Sequence, residues 1–141
     1  MDMNAELLVG EVARQTGVSV DTVRHYERKG ILQNVRRDDS GYRRYAPDVV
    51  ARIAMVRRAL RLGFTLDELS RIFRQRAGGK PPCAQVYELA RRKAAELDER
   101  IAALTAVRAA LADTLTSWER KLESTPAGDF AGLLESLKEA P

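Results

Sequence analysis

The feature that most constrains the fold is a long apolar repeat in the second half of the chain. Apolar residues recur there at alternating spacings of three and four, which is typical of a coiled-coil seam. A helix from residue 84 to 122 would be roughly 58 Å long at 1.5 Å per residue, and Arg108 interrupts its apolar stripe. Because no other segment is long enough to cover that stripe, the pattern predicts a homodimer; the alternative is a helix folded back on its own small domain. The predicted dimerisation residues are Leu97, Ile101, Leu104, Leu111, Leu115 and Trp118.

The start of the chain contains two short helical segments separated by a turn. The segment "LLVGEVARQTG" has helical periodicity and ends at Gly17, and "VSVDTVRHYERKG" follows with Ser19 as N-cap and Gly30 at its end. Two short helices joined by a turn of three to four residues that contains glycine predict a helix-turn-helix motif. We place it at about residues 10–29.

A hairpin, or wing, is predicted next, from "ILQNVRRDDSGYRRYA" with its Asp-Ser-Gly turn. A strand alternates its faces, so Tyr42 and Arg44 would point one way and Arg43 and Tyr45 the other. Each face then offers a guanidinium and a phenol, which are groups that bind phosphate oxygens. The alternative is a solvated edge hairpin with arginines for solubility.

A second helix pair follows the hairpin. Pro47 is expected to open a helix at its first position, and the next helix begins with a capping box from Thr65 to Glu68, where Phe64 and Leu69 suit a hydrophobic staple. The stretch "AGGKPP", residues 77–82, is the predicted linker. The apolar stripe expected on the first of these helices is Val50, Ile53, Ala54, Val56 and Leu60.

Charge and composition narrow the class of protein. The net charge is +4, but residues 1–80 hold 16 Lys and Arg against 10 Asp and Glu, whereas residues 81–141 hold 8 against 10. A basic front half suggests that only this half meets a polyanion. We find no run of about 18 apolar residues, no signal-peptide pattern and a single cysteine, so we expect a cytoplasmic protein without membrane spans or disulfides. An enzyme is not expected, since no nucleophile–base pair or metal-ligand cluster occurs.

These segments, in this order, resemble the MerR family of bacterial transcriptional regulators. The matching motifs are "VGEVARQTGVSVDTVRHYERKGIL", "SGYRRYAPDVV" and "LRLGFTLDEL". The resemblance implies a mainly α fold, with a winged helix-turn-helix DNA-binding domain at residues 6–76 and a coiled-coil dimerisation helix at 83–122. Residues 123–141 would form a C-terminal tail and possible effector loop.

The resemblance also implies roles for individual residues. In the wing, Tyr42 and Arg43 would hold the DNA backbone, with Arg44 a weaker candidate, whereas Tyr45 would pack beneath the wing. On the recognition helix, Arg24 and Tyr26 would contact the backbone. Asp21 and Thr22, near the start of the helix, would reach base edges. The complete set of candidate DNA contacts is Ser19, Asp21, Thr22, Arg24, His25, Tyr26, Tyr42, Arg43 and Arg44.

Such regulators bind a palindromic promoter site as dimers and distort the DNA between promoter elements in response to an effector, so that RNA polymerase can start transcription. The implied function is therefore a repressor and activator of transcription. The alternatives are a non-regulatory architectural DNA-binding protein and a coiled-coil interaction protein.

The effector is the part that the resemblance leaves open. Metal-sensing relatives place one cysteine at the start of the dimer helix, where Cys83 stands, and further cysteines in a loop at its far end. Here that loop offers only Glu123, Ser124, Thr125 and Asp129. Counting excludes an iron–sulfur cluster, because two chains supply two cysteines. Three readings of Cys83 remain: an inert residue, a thiol sensor, and part of a metal site completed by carboxylates.

Overall fold

The computed structural model describes residues 5–139, which fall into two compact units. The first unit extends to Lys93 and the second begins at Ala94. The chain is mainly helical, as predicted. Its elements in chain order are α1 (Val9–Thr16), α2 (Val20–Arg28), β1 (Arg36–Arg37), β2 (Arg43–Arg44), α3 (Val49–Arg61), α4 (Leu66–Ala77), α5 (Cys83–Ser124) and a 3₁₀ helix (Glu135–Glu139).

The helix-turn-helix forms where the sequence predicts it. α1 ends at Gly17, whose φ of 73° is left-handed and whose N–H donates to the carbonyl of Ala13. Ser19 is the N-cap of α2, since its Oγ accepts a hydrogen bond from the N–H of Thr22 at 3.0 Å. α1 packs against both α2 and α3. The predicted caps of both helices are therefore confirmed.

The wing is a short antiparallel hairpin. β1 and β2 have two residues each, with Arg36 opposite Arg44 and Arg37 opposite Arg43. The turn closes through the N–H of Gly41, which donates to the carbonyl of Asp38 at 2.9 Å. The sequence did not indicate that Leu7 pairs with Tyr45 at the base of the wing, through N–H···O distances of 2.7 and 2.9 Å.

A single hydrophobic core holds the first unit together. The buried apolar residues are Val12, Val23, Tyr26, Ile31, Leu32, Tyr45, Val49, Ile53, Val56, Leu69 and Phe73. They come from every helix up to α4, the loop after α2 and the wing. Tyr45 lies in this core, as expected.

The start of α3 differs from the prediction. Pro47 lies in a turn and the helix begins at Val49. The stripe that faces the core is accordingly Val49, Ile53, Val56 and half-buried Leu60, at helical spacings of four, three and four. The expectation that Ala54 belongs to the stripe is wrong, because this position is exposed on the flank of the helix.

α4 begins with the predicted capping box. The N–H of Glu68 donates to Thr65 Oγ1 at 3.1 Å, and the N–H of Thr65 donates to Glu68 Oε1 at 2.8 Å. Leu69 is buried and Phe64 packs against the core beside it. Lys93 Nζ lies 2.7 Å from Glu68 Oε1 and lowers the pKa of that carboxyl, so the start of α5 is tied to the start of α4.

The second unit consists of the rest of α5 and the tail. α5 ends at Ser124, two residues beyond the predicted end, and none of its residues is buried. Its predicted seam is exposed; Leu104, for example, is 68% exposed. Trp118 differs from the other seam residues, because it is half-buried and its Nε1–H donates to Ser136 Oγ in the tail at 3.2 Å. No helix within residues 5–139 is long and apolar enough to cross a membrane.

Candidate nucleic-acid interface

α2 presents a polar face to solvent. Asp21, Arg24, His25 and Arg28 are all exposed, and they lie at i, i+3, i+4 and i+7 on one side of the helix. Val23 is buried on the opposite side. The helix therefore offers a charged face of the kind that a recognition helix turns towards a DNA groove.

The hydroxyls of Ser19 and Thr22 at the start of α2 form a hydrogen bond with each other. Ser19 Oγ and Thr22 Oγ1 are 2.8 Å apart, and Ser19 Oγ also accepts the N–H of Thr22. Thr22 is half-buried, whereas Asp21 is exposed beside it. Ser19 thus acts as the helix cap, and Asp21 is the more accessible of the residues predicted to reach base edges.

Tyr26 does not lie where the sequence analysis placed it. Its side chain is only 6% exposed and belongs to the hydrophobic core. The physical reason is spacing, since Tyr26 follows buried Val23 by three residues and shares its face of the helix. The exposed position one turn beyond Arg24 is Arg28. Arg28 was not among the predicted DNA contacts, although its i+4 spacing from Arg24 places both on the same face of the helix.

The wing is unusually rich in arginine. Both cross-strand pairs are Arg–Arg pairs, and like charges directly opposite one another are destabilising in a hairpin. Carboxylates offset part of this charge: Glu6 pairs with Arg36, and Asp38 pairs with Arg44. Arg37 instead donates to the carbonyl of Gly41 at 3.0 Å. The arrangement concentrates positive charge where an approaching polyanion would be attracted.

The tip of the wing is held by Asp38. Its Oδ1 accepts the N–H groups of Ser40 and Tyr42, both at 3.0 Å, and its Oδ2 accepts Arg44 Nε at 2.9 Å. Partial burial opposes ionisation, but these hydrogen bonds outweigh it and lower the pKa of Asp38. Tyr42 stands at this tip and is 65% exposed. Arg44 is committed to the turn, which agrees with its weaker candidacy as a DNA contact.

One carboxylate connects α2 with the wing. Glu27 Oε1 lies 3.1 Å from Arg43 Nε, and Glu27 Oε2 accepts the hydroxyl of Tyr45 at 2.9 Å. Burial and the hydrogen bond to Glu27 raise the pKa of Tyr45 to about 12, with the charges of Arg43 and Arg24 opposing the rise. Glu27 could not be selected from the sequence, because nothing in the sequence places it next to residues 16 and 18 positions away.

Cys83 stands at the first residue of α5 and is exposed. Within the first unit it lines an open, mainly apolar groove of about 980 Å³, together with Met55, Phe64, Lys80 and Tyr87. In the part of the chain that the structure describes, no group of three or more His, Cys, Asp and Glu side chains is arranged to hold a metal ion. The structure therefore places Cys83 on an accessible surface without assigning it a ligand.

The fold and this surface define a winged helix-turn-helix DNA-binding protein. The family model for MerR helix-turn-helix regulatory proteins matches residues 7–76, and the model described as "MerR, DNA binding" matches residues 50–114. The chain belongs to the MerR family of transcriptional regulators. The resemblance seen in the motifs is thereby confirmed.

Named relatives agree with this assignment. The mercuric resistance operon regulatory protein of Pseudomonas fluorescens is 36% identical over 114 residues, which is 80% of this chain and 78% of the relative. The crystal structure of the transcription regulator PbrR691 from Ralstonia metallidurans CH34, in complex with lead(II), matches with a TM-score of 0.71 and 26% identity over 93% of this chain and 98% of that one. HiNmlR, a MerR family regulator bound to promoter DNA, shares the fold, with a TM-score of 0.56 and 21% identity over 85% and 95% of the two chains.

Proposed function

We propose that this regulator is a cytoplasmic homodimer without enzymatic activity that binds a palindromic promoter site and controls transcription by distorting the DNA. The observation that carries the proposal is the continuous charged surface of the first unit. It comprises the exposed face of α2 and the wing, and Glu27 joins the two. A helix face would enter the major groove while the wing arginines and Tyr42 hold phosphates.

Dimerisation is supported by the second unit. The predicted seam of α5 exposes Leu97, Ile101, Leu104, Leu111 and Leu115 in a single chain. A second copy of the helix would remove this apolar stripe from water, and fully burying a leucine contributes roughly 1.5–3 kcal/mol. A two-fold dimer carries two recognition helices and therefore reads a palindrome.

The regulatory step is proposed to be DNA deformation. Bending a site of this size costs on the order of 1–6 kcal/mol. An effector that binds one conformation of the dimer more tightly than the other supplies a difference of this size. RNA polymerase, the proposed partner at the promoter, would then meet promoter elements in the correct relative orientation.

The identity of the effector, and the role of Cys83 in sensing it, are still open. One relative is named as a regulator of mercuric resistance, and the structure of another contains lead(II). Mercury and lead are soft metals that favour thiolate ligands. This chain has one cysteine and one histidine, and the histidine lies on α2. A thiolate-rich site like those of soft-metal sensors is therefore not available from one chain, and we retain a thiol sensor, a partial metal site and an inert residue as the three possibilities.

The proposal is tested by selecting bound sequences from a pool of randomised duplex DNA. We expect an enriched palindrome, and we expect Arg24→Ala to weaken binding to it at least tenfold. Arg120→Ala is the matched control, because it removes the same charge from the face of α5 opposite the seam. With roughly 6–10 phosphates contacted per dimer, affinity should fall about 10³–10⁵-fold between 50 and 200 mM salt.

The alternative function predicts a different result. A non-regulatory architectural protein would bind the pool without enriching any sequence, and it would leave transcription from a promoter that contains the site unchanged. A coiled-coil interaction protein would not retain duplex DNA. Either result would remove the regulatory proposal.

A further inference from the structure

Glu27 occupies an unusual place for an acidic residue. It lies in the last turn of α2 and is largely buried, with 18% of its side chain exposed, yet it sits between α2 and the wing on the surface proposed to meet DNA. A carboxylate at such a place repels phosphate by Coulomb's law. The repulsion raises the question of what Glu27 contributes in return.

The contacts of Glu27 suggest the answer. Its two oxygens meet two residues of the same face of the wing strand: Oε2 accepts the buried Tyr45 hydroxyl, and Oε1 faces Arg43 Nε. Tyr45 is fully buried, so it fixes the carboxylate from the core side. Glu27 in turn fixes the guanidinium of Arg43, a residue whose side chain is 35% exposed.

The geometry of the ion pair leaves Arg43 able to bind a phosphate. The closest contact of the ion pair is at Nε, and the two terminal nitrogens of Arg43 carry four further N–H bonds. Arginine has many rotamers, and ordering such a side chain on binding costs free energy. A guanidinium that is already held in place avoids much of this cost.

We propose that Glu27 is a positioning residue for DNA binding, which acts by holding Arg43 ready for a phosphate. The inference rests on the proposed function, since it requires that the wing contacts DNA. It assigns to Glu27 a role opposite to the one that its charge alone would give it. Its charge alone weakens binding, whereas its contact with Arg43 strengthens binding.

The opposition between charge and contact provides the test. Glu27→Gln keeps the size of the side chain and an oxygen that can accept the Tyr45 hydroxyl, but removes the charge that holds Arg43. We expect operator affinity, measured by fluorescence anisotropy, to fall about tenfold per dimer, which is the size expected for the loss of charge-assisted interactions of this kind. Affinity for a scrambled duplex should fall by a similar factor, because a phosphate contact carries no sequence information.

A double-mutant cycle separates positioning from a purely structural role. In an Arg43→Ala background, Glu27→Gln should cause no further loss of operator affinity, because the residue through which it acts is absent. Tyr45→Phe is the matched control on the other oxygen of the same carboxylate. Because this variant removes the hydroxyl that fixes the carboxylate but keeps the charge that pairs with Arg43, it should lower stability and reduce operator affinity less than Glu27→Gln does.

The outcomes distinguish this inference from the proposed function. If the parent protein selects no sequence, the proposed function fails. If the parent binds its operator and Glu27→Gln binds both duplexes more tightly, charge alone decides and the positioning role is wrong. Equal losses in the parent and Arg43→Ala backgrounds would also overturn it.

Glu27→Asp replaces Glu27→Gln if circular dichroism shows that Glu27→Gln does not fold. This variant keeps the charge but withdraws it by one methylene. Operator affinity should still fall in the parent background and should not fall further in the Arg43→Ala background.

Discussion

The two units of the chain satisfy their apolar residues in opposite ways. The first unit buries side chains from α1 to α4 and the wing in one core, and its helix ends are capped by its own residues. The second unit exposes the apolar stripe of a long helix, with only Trp118 and its neighbours partly covered by the tail. The first unit thus has its own core as a single chain, whereas in the dimer proposed above the second unit would acquire its core from a partner.

The largest expected effect comes from breaking the second unit's seam. Changing both Leu104 and Leu111 to Asp would place four carboxylates in the proposed dimer interface, where unpaired charges are costly. We expect sedimentation to show a monomer at micromolar concentration and operator affinity to fall at least a hundredfold. Thermal unfolding of the first unit should stay unchanged, because its core contains neither residue.

The control for this experiment lies on the same helix. Ala102→Asp with Ala109→Asp introduces the same charges on the face opposite the seam, so this variant should remain dimeric and bind DNA. A dimer that survives the Leu104 and Leu111 changes would show that the seam is assigned wrongly. Equal loss of dimer in both variants would show that helix propensity, and not the seam, was altered.

The same contrast explains how much of the molecule could be predicted from its sequence. Local rules located the caps at Gly17 and Ser19, the capping box at Thr65, and the start of α5 at Cys83, because each depends on residues within a few positions of one another. The periodicity of α5 is also a local property. These elements needed no knowledge of the tertiary structure.

Most of the features that were missed are non-local. Tyr26 matched a DNA-facing family position, but packing of α2 against the core decides which face is buried. The contacts of Glu27 with Arg43, and the pairing of Leu7 with Tyr45, join segments 16 and 38 residues apart. α3 begins at Val49 because Pro47 lies in a turn. The preference of proline for the first position of a helix predicted an earlier start.

A smaller effect, confined to the first unit, is expected at high pH. The pKa of Tyr45 is about 12 in the folded protein against about 10 for an exposed tyrosine. Between these values the unfolded chain binds fewer protons than the native one, so stability falls as pH rises from 10 to 12. Two pKa units correspond to about 2–3 kcal/mol. Urea unfolding at pH 9 and 11.5 should show the advantage of the parent over Tyr45→Phe shrinking by up to this amount.

Tyr42→Phe provides the comparison for that measurement. It removes the same hydroxyl from an exposed position at the tip of the wing. Its stability should fall between pH 9 and 11.5 as that of the parent does, because Tyr45 and Glu27 are unchanged in this variant. If the stability advantage of the parent over Tyr45→Phe is equally large at pH 9 and pH 11.5, burial and Glu27 do not raise the pKa of Tyr45 as described.

The smallest effect is expected at Cys83, the first residue of the long helix, which lies within the first unit. The side chain is exposed and sulfur-to-oxygen replacement preserves its shape, so Cys83→Ser should change the free energy of unfolding by less than about 0.5 kcal/mol. Operator affinity without effector should match the parent, because the thiol lies outside the α2 and wing surface. A loss of basal operator affinity would mean that Cys83 supports the DNA-binding unit directly.

The informative measurement is promoter transcription with and without added compounds. A thiol sensor predicts that diamide changes transcription with the parent and not with Cys83→Ser, since the thiolate is the reactive form. A partial metal site predicts a response to zinc that Cys83→Ser abolishes and that Asp129→Ala weakens, because carboxylates would have to complete the coordination. If the parent and Cys83→Ser behave alike under both treatments, Cys83 is a structural residue. The effector would then act elsewhere, and the tail of the second unit would be the next segment to test.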